Sequence, residues 1–217
     1  MTEVLIKQLK PDFYELDLPD ERFQHYSTKT LLALDTETRG LNLHRDRLCL
    51  VQICDDEGVV SLVRYKHQID PAQGVGANLK KLLENEKILK IFHYARFDIS
   101  VLKYHLRAQT NPVFCTKIAS KLVRTYTDRH SLKDLVREIF RKEMDKSDQM
   151  SDWARDDLTE SQLEYAANDV RVLIPIYEHI KSLLEREGRL PLAKRVCECL
   201  PVVCDLDMKG FTNVFEH

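Results

Sequence analysis

Three short apolar runs follow one another along the chain with only polar turns between them: LLALDTE at 31–37, RLCLVQIC at 47–54 and VVSLVRY at 59–65. Apolar runs of this length, bounded by Gly, Asp or Asn, are strands rather than helices. Asp55, Asp56, Glu57 and Gly58 make a tight polar turn between the second and third, and GLNLHRD joins the first to the second. An antiparallel meander is the simplest arrangement of three strands so connected.

Beyond Pro71 the pattern changes. ANLKKLLENE carries Leu79, Leu82 and Leu83 at helical spacing, ILKIFHY (88–94) returns to strand, and ARFDISVLKYHL is helical again. PVFCT (112–116) reads as a fifth strand, and all that follows reads as helix: KIASKLVRT, SLKDLVREIF, a long helix from about Thr159 to Glu187, and a last one near Leu190 to Leu200. Three strands, then β-α units, then helices is the ribonuclease H-like order. The expectation is an α/β fold with a five-stranded mixed sheet flanked by helices and a helical C-terminal part, a single domain over 1–217 with its core at about 30–185 and a C-terminal helix and tail at about 189–217.

Asp35 and Glu37 stand two apart at the end of the most apolar strand, so pleating points both carboxylates to one face, roughly 6–7 Å apart along the chain. They are placed to hold cations; acids that simply end a strand are the alternative. Asp98 falls in the first turn of the helix after the fourth strand, where it stabilises the helix dipole or joins Asp35 as a ligand. Tyr165 and Asp169, in YAAND, stack one turn apart. At about 100° per residue, Glu164, Asn168, Arg171, Pro175, Glu178, Ser182 and Glu185 form a polar stripe, and Asp169 lies roughly 140° from its centre among Leu163, Leu173, Ile176 and Ile180. Asp169 is therefore expected to face inward, where an aspartate needs hydrogen bonds or a cation. Four converging carboxylates repel one another and raise each other's pKa, a conflict that cations remove. All-oxygen ligands select Mg²⁺ or Mn²⁺, and two such ions are a device for in-line phosphodiester cleavage. Tyr165 is then placed to orient the attacking water, or else is a packed aromatic with its hydroxyl at the rim.

With Asp35, Glu37, Asp98, Tyr165 and Asp169 in this order, the chain resembles the DEDD 3′-5′ exonucleases of the tyrosine subtype, the ribonuclease D group. The match runs over roughly residues 30–185, through DTETRGLN, FHYARFDISVL and KSDQMSDWARDDLTESQLEYAANDV. Within that group HRDRLCLVQIC and PVFCTKIASKLVRTYTDRHSLKDL look most like the nano-RNases of the C type. That resemblance implies an exoribonuclease hydrolysing dinucleotides and short oligoribonucleotides to 5′-nucleoside monophosphates, dependent on two divalent ions, and assembled as a ring-shaped homo-oligomer, an octamer in the family. It implies Asp35, Glu37, Asp98 and Asp169 as metal ligands and Tyr165 as the residue positioning water. Leu41 is then a wedge against a terminal base, and Glu37 also meets the 3′-hydroxyl. Gln149 and Trp153 match the family's pattern as well.

His93 is close enough to Asp98 to touch substrate, though a packed histidine explains it equally. Arg124, Arg129, His130 and Lys133 form a basic cluster at helix ends expected to border the site, as phosphate contacts or as a solvated helix end. The apolar tail residues Phe211, Val214 and Phe215 pack either on a neighbouring subunit or on their own domain. A net charge of −2 disfavours an enzyme tracking a long strand. No stretch approaches membrane-spanning length, and charges break every apolar run of the N-terminus, so a cytoplasmic protein is expected. Cys49, Cys54 and Cys115 read as buried thiols, and Cys197, Cys199 and Cys204 lack zinc-site spacing. A general exonuclease on RNA or single-stranded DNA, and a catalytically silent nucleic-acid-binding module, are the competing functions.

Overall fold

The computed structural model describes residues 9–144, 148, 150–211 and 214, with the side chain of Pro71 not described. Its centre is the expected meander: β2 (Leu31–Thr38), β3 (Leu48–Cys54) and β4 (Val60–Arg64) pair antiparallel, and every residue of β3 and β4 is buried. A strand covered on both faces has no polar side, which is why these runs are nearly continuous in apolar residues instead of alternating. β5 (Leu89–Phe92) adds parallel to β2, and β6 (Val113–Cys115) parallel to β5.

The sheet has a sixth strand, where the pattern gave five. β1 (Asp12–Glu15) pairs parallel to β4 and completes the order β1-β4-β3-β2-β5-β6. Its four residues, DFYE, carry no apolar run, so their extended conformation comes from the ladder with β4 and not from local pattern.

Helices α1 (Asp20–Ser27), α2 (Ala77–Leu83) and α3 (Ala95–Leu106) are followed by α4 (Thr116–Val123) and α5 (Leu132–Phe140). A 3₁₀ turn at Pro71–Gln73 precedes α2. The long helix expected from Thr159 to Glu187 is two, α6 (Glu160–Arg171) and α7 (Leu173–Arg186), meeting at Val172. The break falls three residues before Pro175, which has no N–H to give and whose ring crowds the carbonyl one turn back. The final helix is likewise two, α8 (Leu190–Glu198) and α9 (Leu200–Met208), each with proline in its first turn, where the missing N–H costs nothing. α6 packs across β2, β3 and β4, while α3 lies against the sheet and α9. No described helix is long and apolar enough to cross a membrane. All six cysteines are free, with Cys199 alone exposed.

The start of α6 is fixed locally. Thr159 Oγ1 accepts from Gln162 N at 3.2 Å while Gln162 Oε1 accepts from Thr159 N at 3.0 Å, a reciprocal capping box. Thr159→Ala is expected to cost about 1 kcal/mol and lower the melting temperature by roughly 2–4 °C. An unchanged melting temperature would show that the loop before α6, not the cap, sets where the helix begins.

Candidate active site

Alternation along β2 sends Asp35 and Glu37 to one face and Thr36 to the other. The β2–β3 register slips between Glu37 and Thr38, a bulge that ends the regular ladder where the second acid stands. Asp98 arrives from the first turn of α3, placed beside β2 because β5 runs parallel to it. Thr36 Oγ1 donates to Asp98 Oδ1 at 2.7 Å, tying helix to strand. Asp169 comes from α6 and is 9% exposed, facing inward as its helical angle requires. Asp35, Glu37 and Asp169 each bring a carboxylate oxygen within 4.8 Å of the others.

The electrostatics follow from that crowding. Burial, then the charges of Asp98, Glu37 and Asp169, hold Asp35 well above the usual carboxylate range. Burial, then Asp169 and Asp98, does the same to Glu37. Burial pushes Asp98 up to about 7 against the opposing hydrogen bond from Thr36. Tyr165, half a turn's reach from the acids, is raised by burial and by the charges of Asp169 and Glu37, and it hydrogen bonds to Asp169. It is a phenol that stays protonated and can donate. A pocket that raises every carboxylate it contains is one in which cationic charge is stabilising, and oxygen donors at this spacing fit hard divalent ions. A second acidic grouping, at the β3–β4 turn, differs: Lys29 Nζ already sits 3.5 Å from Asp55 and 3.3 Å from Asp56 and bonds to Glu57.

The acids line a cavity of about 330 Å³ whose walls include Leu41, His93, Tyr94, Lys117, Tyr165 and Leu173. Leu41 is 84% exposed at its mouth. His93 Nδ1 lies 2.9 Å from Thr116 Oγ1, which anchors the ring at the cavity edge. A second cavity of about 300 Å³ adjoins it, lined by Leu41, Leu43, His44, Tyr94, Arg96 and Phe97. Leu41 and Tyr94 belong to both and form the partition between them.

Two residues of the expected basic cluster are placed elsewhere. Arg124 is buried between α4 and α5, donating to Glu138 Oε1 at 3.1 Å, Ser120 Oγ at 2.9 Å and the Arg129 carbonyl at 2.6 Å, so its donors brace the helix pair. His130 is buried against Ser120 Oγ at 2.9 Å. Arg129 is exposed, and Lys133 faces Glu143 at 3.9 Å; neither lines the acidic cavity among the described residues. The reason is the register of α4 and α5, which turns these groups toward each other. Gln149 and Phe215 lie outside the described residues; Phe211 and Val214 are exposed.

Sequence reasoning missed Lys117 and Tyr94. Lys117, in the first turn of α4, sets its Nζ 4.3 Å from the centre of the Tyr94 ring and supplies positive charge at the cavity wall. Tyr94 holds φ at +73°, a strained left-handed conformation for a residue with a side chain, and projects half-exposed between the cavities. The signal for Lys117 was its position after PVFCT, at a helix start beside the fourth strand.

A mixed sheet of this order, with acids from β2, α3 and α6 meeting at one strand end, is the architecture of a ribonuclease H-like nuclease domain. A family model described as 3′-5′ exonuclease matches residues 13–185, and the chain belongs to that family. The ribonuclease D of Gluconacetobacter diazotrophicus is 33% identical over 159 residues, covering 73% of this chain and 39% of its own length. The chain thus spans well under half of that curated relative. The structure of Brucella melitensis NrnC bound to pGG superposes with a TM-score of 0.88 at 42% identity, covering 97% of this chain and 100% of that one. The same nuclease with bound Mg²⁺ gives 0.87 at 41% identity, covering 96% and 100%.

Carboxyls held above their ordinary range keep protons that the unfolded chain has already released. Folding stability of the metal-free protein should therefore fall as pH rises from about 4 through about 7. Mg²⁺ competes with those protons, so the melting-temperature gain it brings should be larger near pH ~8 than near pH ~5. Thermal melts with and without a chelator check this; an equal gain at both values would contradict the assigned cluster.

Proposed function

We propose that the protein is a divalent-metal-dependent 3′-5′ exoribonuclease acting on dinucleotides and very short oligoribonucleotides, releasing 5′-nucleoside monophosphates. The observation that carries this reading is the partition of the cleft by Leu41 and Tyr94 into two adjoining cavities of about 330 and 300 Å³, one acidic and one largely apolar. Each lies at the small end of the ~300–1,000 Å³ range of ligand pockets, which suits one nucleoside apiece. The dinucleotide pGG held by the Brucella NrnC supports the same reading.

In this mechanism Asp35, Glu37, Asp98 and Asp169 hold two Mg²⁺ or Mn²⁺ ions, in keeping with the Mg²⁺ of that NrnC. When bound, such a pair activates water and stabilises the leaving oxygen of an in-line displacement. The residues do the rest. Tyr165 keeps its proton and orients the attacking water; Glu37, at the bulge, also meets the 3′-hydroxyl; Leu41 wedges between the two bases. Tyr94 offers its ring to the second base, and Lys117 and His93 meet phosphate or sugar at the cavity wall. Arg129 remains a candidate only for substrate reaching beyond the cavities, whereas Arg124 and His130 are structural. The reading extends to a cytoplasmic homo-oligomer, supported by apolar side chains left exposed on the C-terminal helices and tail, Leu192, Val202 and Phe211 among them.

Turnover of 5′-labelled RNA from two to about twenty nucleotides, with matched DNA, tests the proposal. Dinucleotides should be hydrolysed fastest, a chelator should abolish turnover, and Asp35→Asn should slow it on the order of 10³-fold, the equivalent of ~4 kcal/mol. Leu41→Ala and Lys117→Ala should each raise KM for the dinucleotide about 5–10-fold, the second with a weaker dependence on salt. A preference for long strands or for DNA would favour the general exonuclease instead; cleavage insensitive to Asp35→Asn would remove the site.

A further inference from the structure

The segment between α5 and α6 has no regular structure near Trp153, yet Trp153 is only 3% exposed and its ring lies 6.1 Å from that of Tyr165. Irregular backbone has to find partners for its carbonyls outside a ladder. Here side chains of the sheet and of α6 supply them. Arg47, entering β3, donates to the Ala154 carbonyl at 3.0 Å and to the carbonyl of Tyr65. Arg64, at the end of β4 and 5% exposed, donates to the carbonyls of Arg155, at 2.7 Å, and Asp156. Gln162 Nε2 reaches the Asp152 carbonyl at 3.3 Å and Ser151 Oγ at 2.9 Å. Carbonyls at 152, 154, 155 and 156 are thus held from outside the segment, although Asp152, Arg155 and Asp156 point their own side chains to solvent.

We infer that Arg64 and Arg47 are positioning residues for the reaction: they clamp the Trp153 segment so that the indole fixes the rotamer of Tyr165, and with it the direction of the Tyr165 hydroxyl. This rests on the role proposed for Tyr165. The geometry points that way because a tyrosine on a helix carries its hydroxyl at the far end of two rotatable bonds, so a small rotation of the ring moves the hydroxyl by an ångström or more. Trp153 is the ring packed beside it, and Trp153 itself hangs on backbone that Arg47 and Arg64 hold. Guanidinium groups suit the task, since a planar fork reaches two carbonyls at once while an ammonium presents a single point. Both arginines stand on strands adjoining β2, so the hydroxyl is referred to the same sheet that carries Asp35 and Glu37.

The test is steady-state hydrolysis of a dinucleotide by the full chain, alongside emission of its single tryptophan, for Arg64→Met, Arg47→Met, Arg64→Lys and Tyr165→Phe, at temperatures well below each melting transition. Arg64→Met is expected to lower kcat about tenfold with KM within about twofold of the parent, because misplacement of a group needed in the transition state leaves ground-state binding alone. Its tryptophan emission should shift to the red as the indole loosens, with Arg47→Met showing the same changes to a smaller degree and Arg64→Lys recovering part of both. Unchanged kcat in both methionine variants, beside an inactive Tyr165→Phe, would overturn the clamp and leave the Tyr165 role standing. A fall in kcat with emission unmoved would also overturn it. Full activity in Tyr165→Phe would remove the role of Tyr165, and the clamp's purpose with it.

Discussion

Carboxylates brought from three separate elements repel each other at the end of β2, and the surrounding structure is arranged to keep them together in spite of it. Asp35 and Glu37 share a strand face because of the pleat; Asp98 is held by the Thr36 hydroxyl and Asp169 by an inward-turned helix. Each of the first three is pushed above its ordinary range by burial and, for Asp35 and Glu37, by its neighbours. A fold does not tolerate such a cluster for packing reasons, since apolar side chains of the same volume would be more stable. The cluster makes physical sense as a place where divalent charge is bound and released.

The fold supplies rigidity from the elements least able to move. β3 and β4 are buried throughout, β2 lies between β3 and β5, and the two helices that deliver Asp98 and Asp169 pack against that central sheet. Substrate-facing parts are of the opposite kind. Leu41 and Tyr94 are largely exposed, one on the loop after β2 and the other in a strained conformation at the start of α3, and together they divide the cleft. Chemistry is carried on the scaffold and selection on the loops, a division common to enzymes built on rigid sheets.

Much of this was legible in the chain. Short apolar runs with turn residues between them disclosed the meander, and period-two and period-3.6 arguments put Asp35, Glu37 and Asp169 on the faces where they are found. What was not legible depended on distant partners. β1 is extended only because β4 is beside it, and the bulge after Glu37 is a property of two strands. Arg124 and His130 looked like a basic surface because charge alone was visible; the mutual register of α4 and α5 buries them on Ser120 and Glu138. Lys117 was indistinguishable from any other helical lysine, and nothing in a tyrosine announces the left-handed backbone of Tyr94.

The central claim is that the four acids form one cation site, and the direct measurement is the number of Mn²⁺ ions bound per chain, counted by electron paramagnetic resonance in the parent and in Asp35→Asn. The account predicts two ions in the parent with nucleotide present, and loss of at least one in the variant. Binding of the same number of ions with the same affinity in both would contradict it.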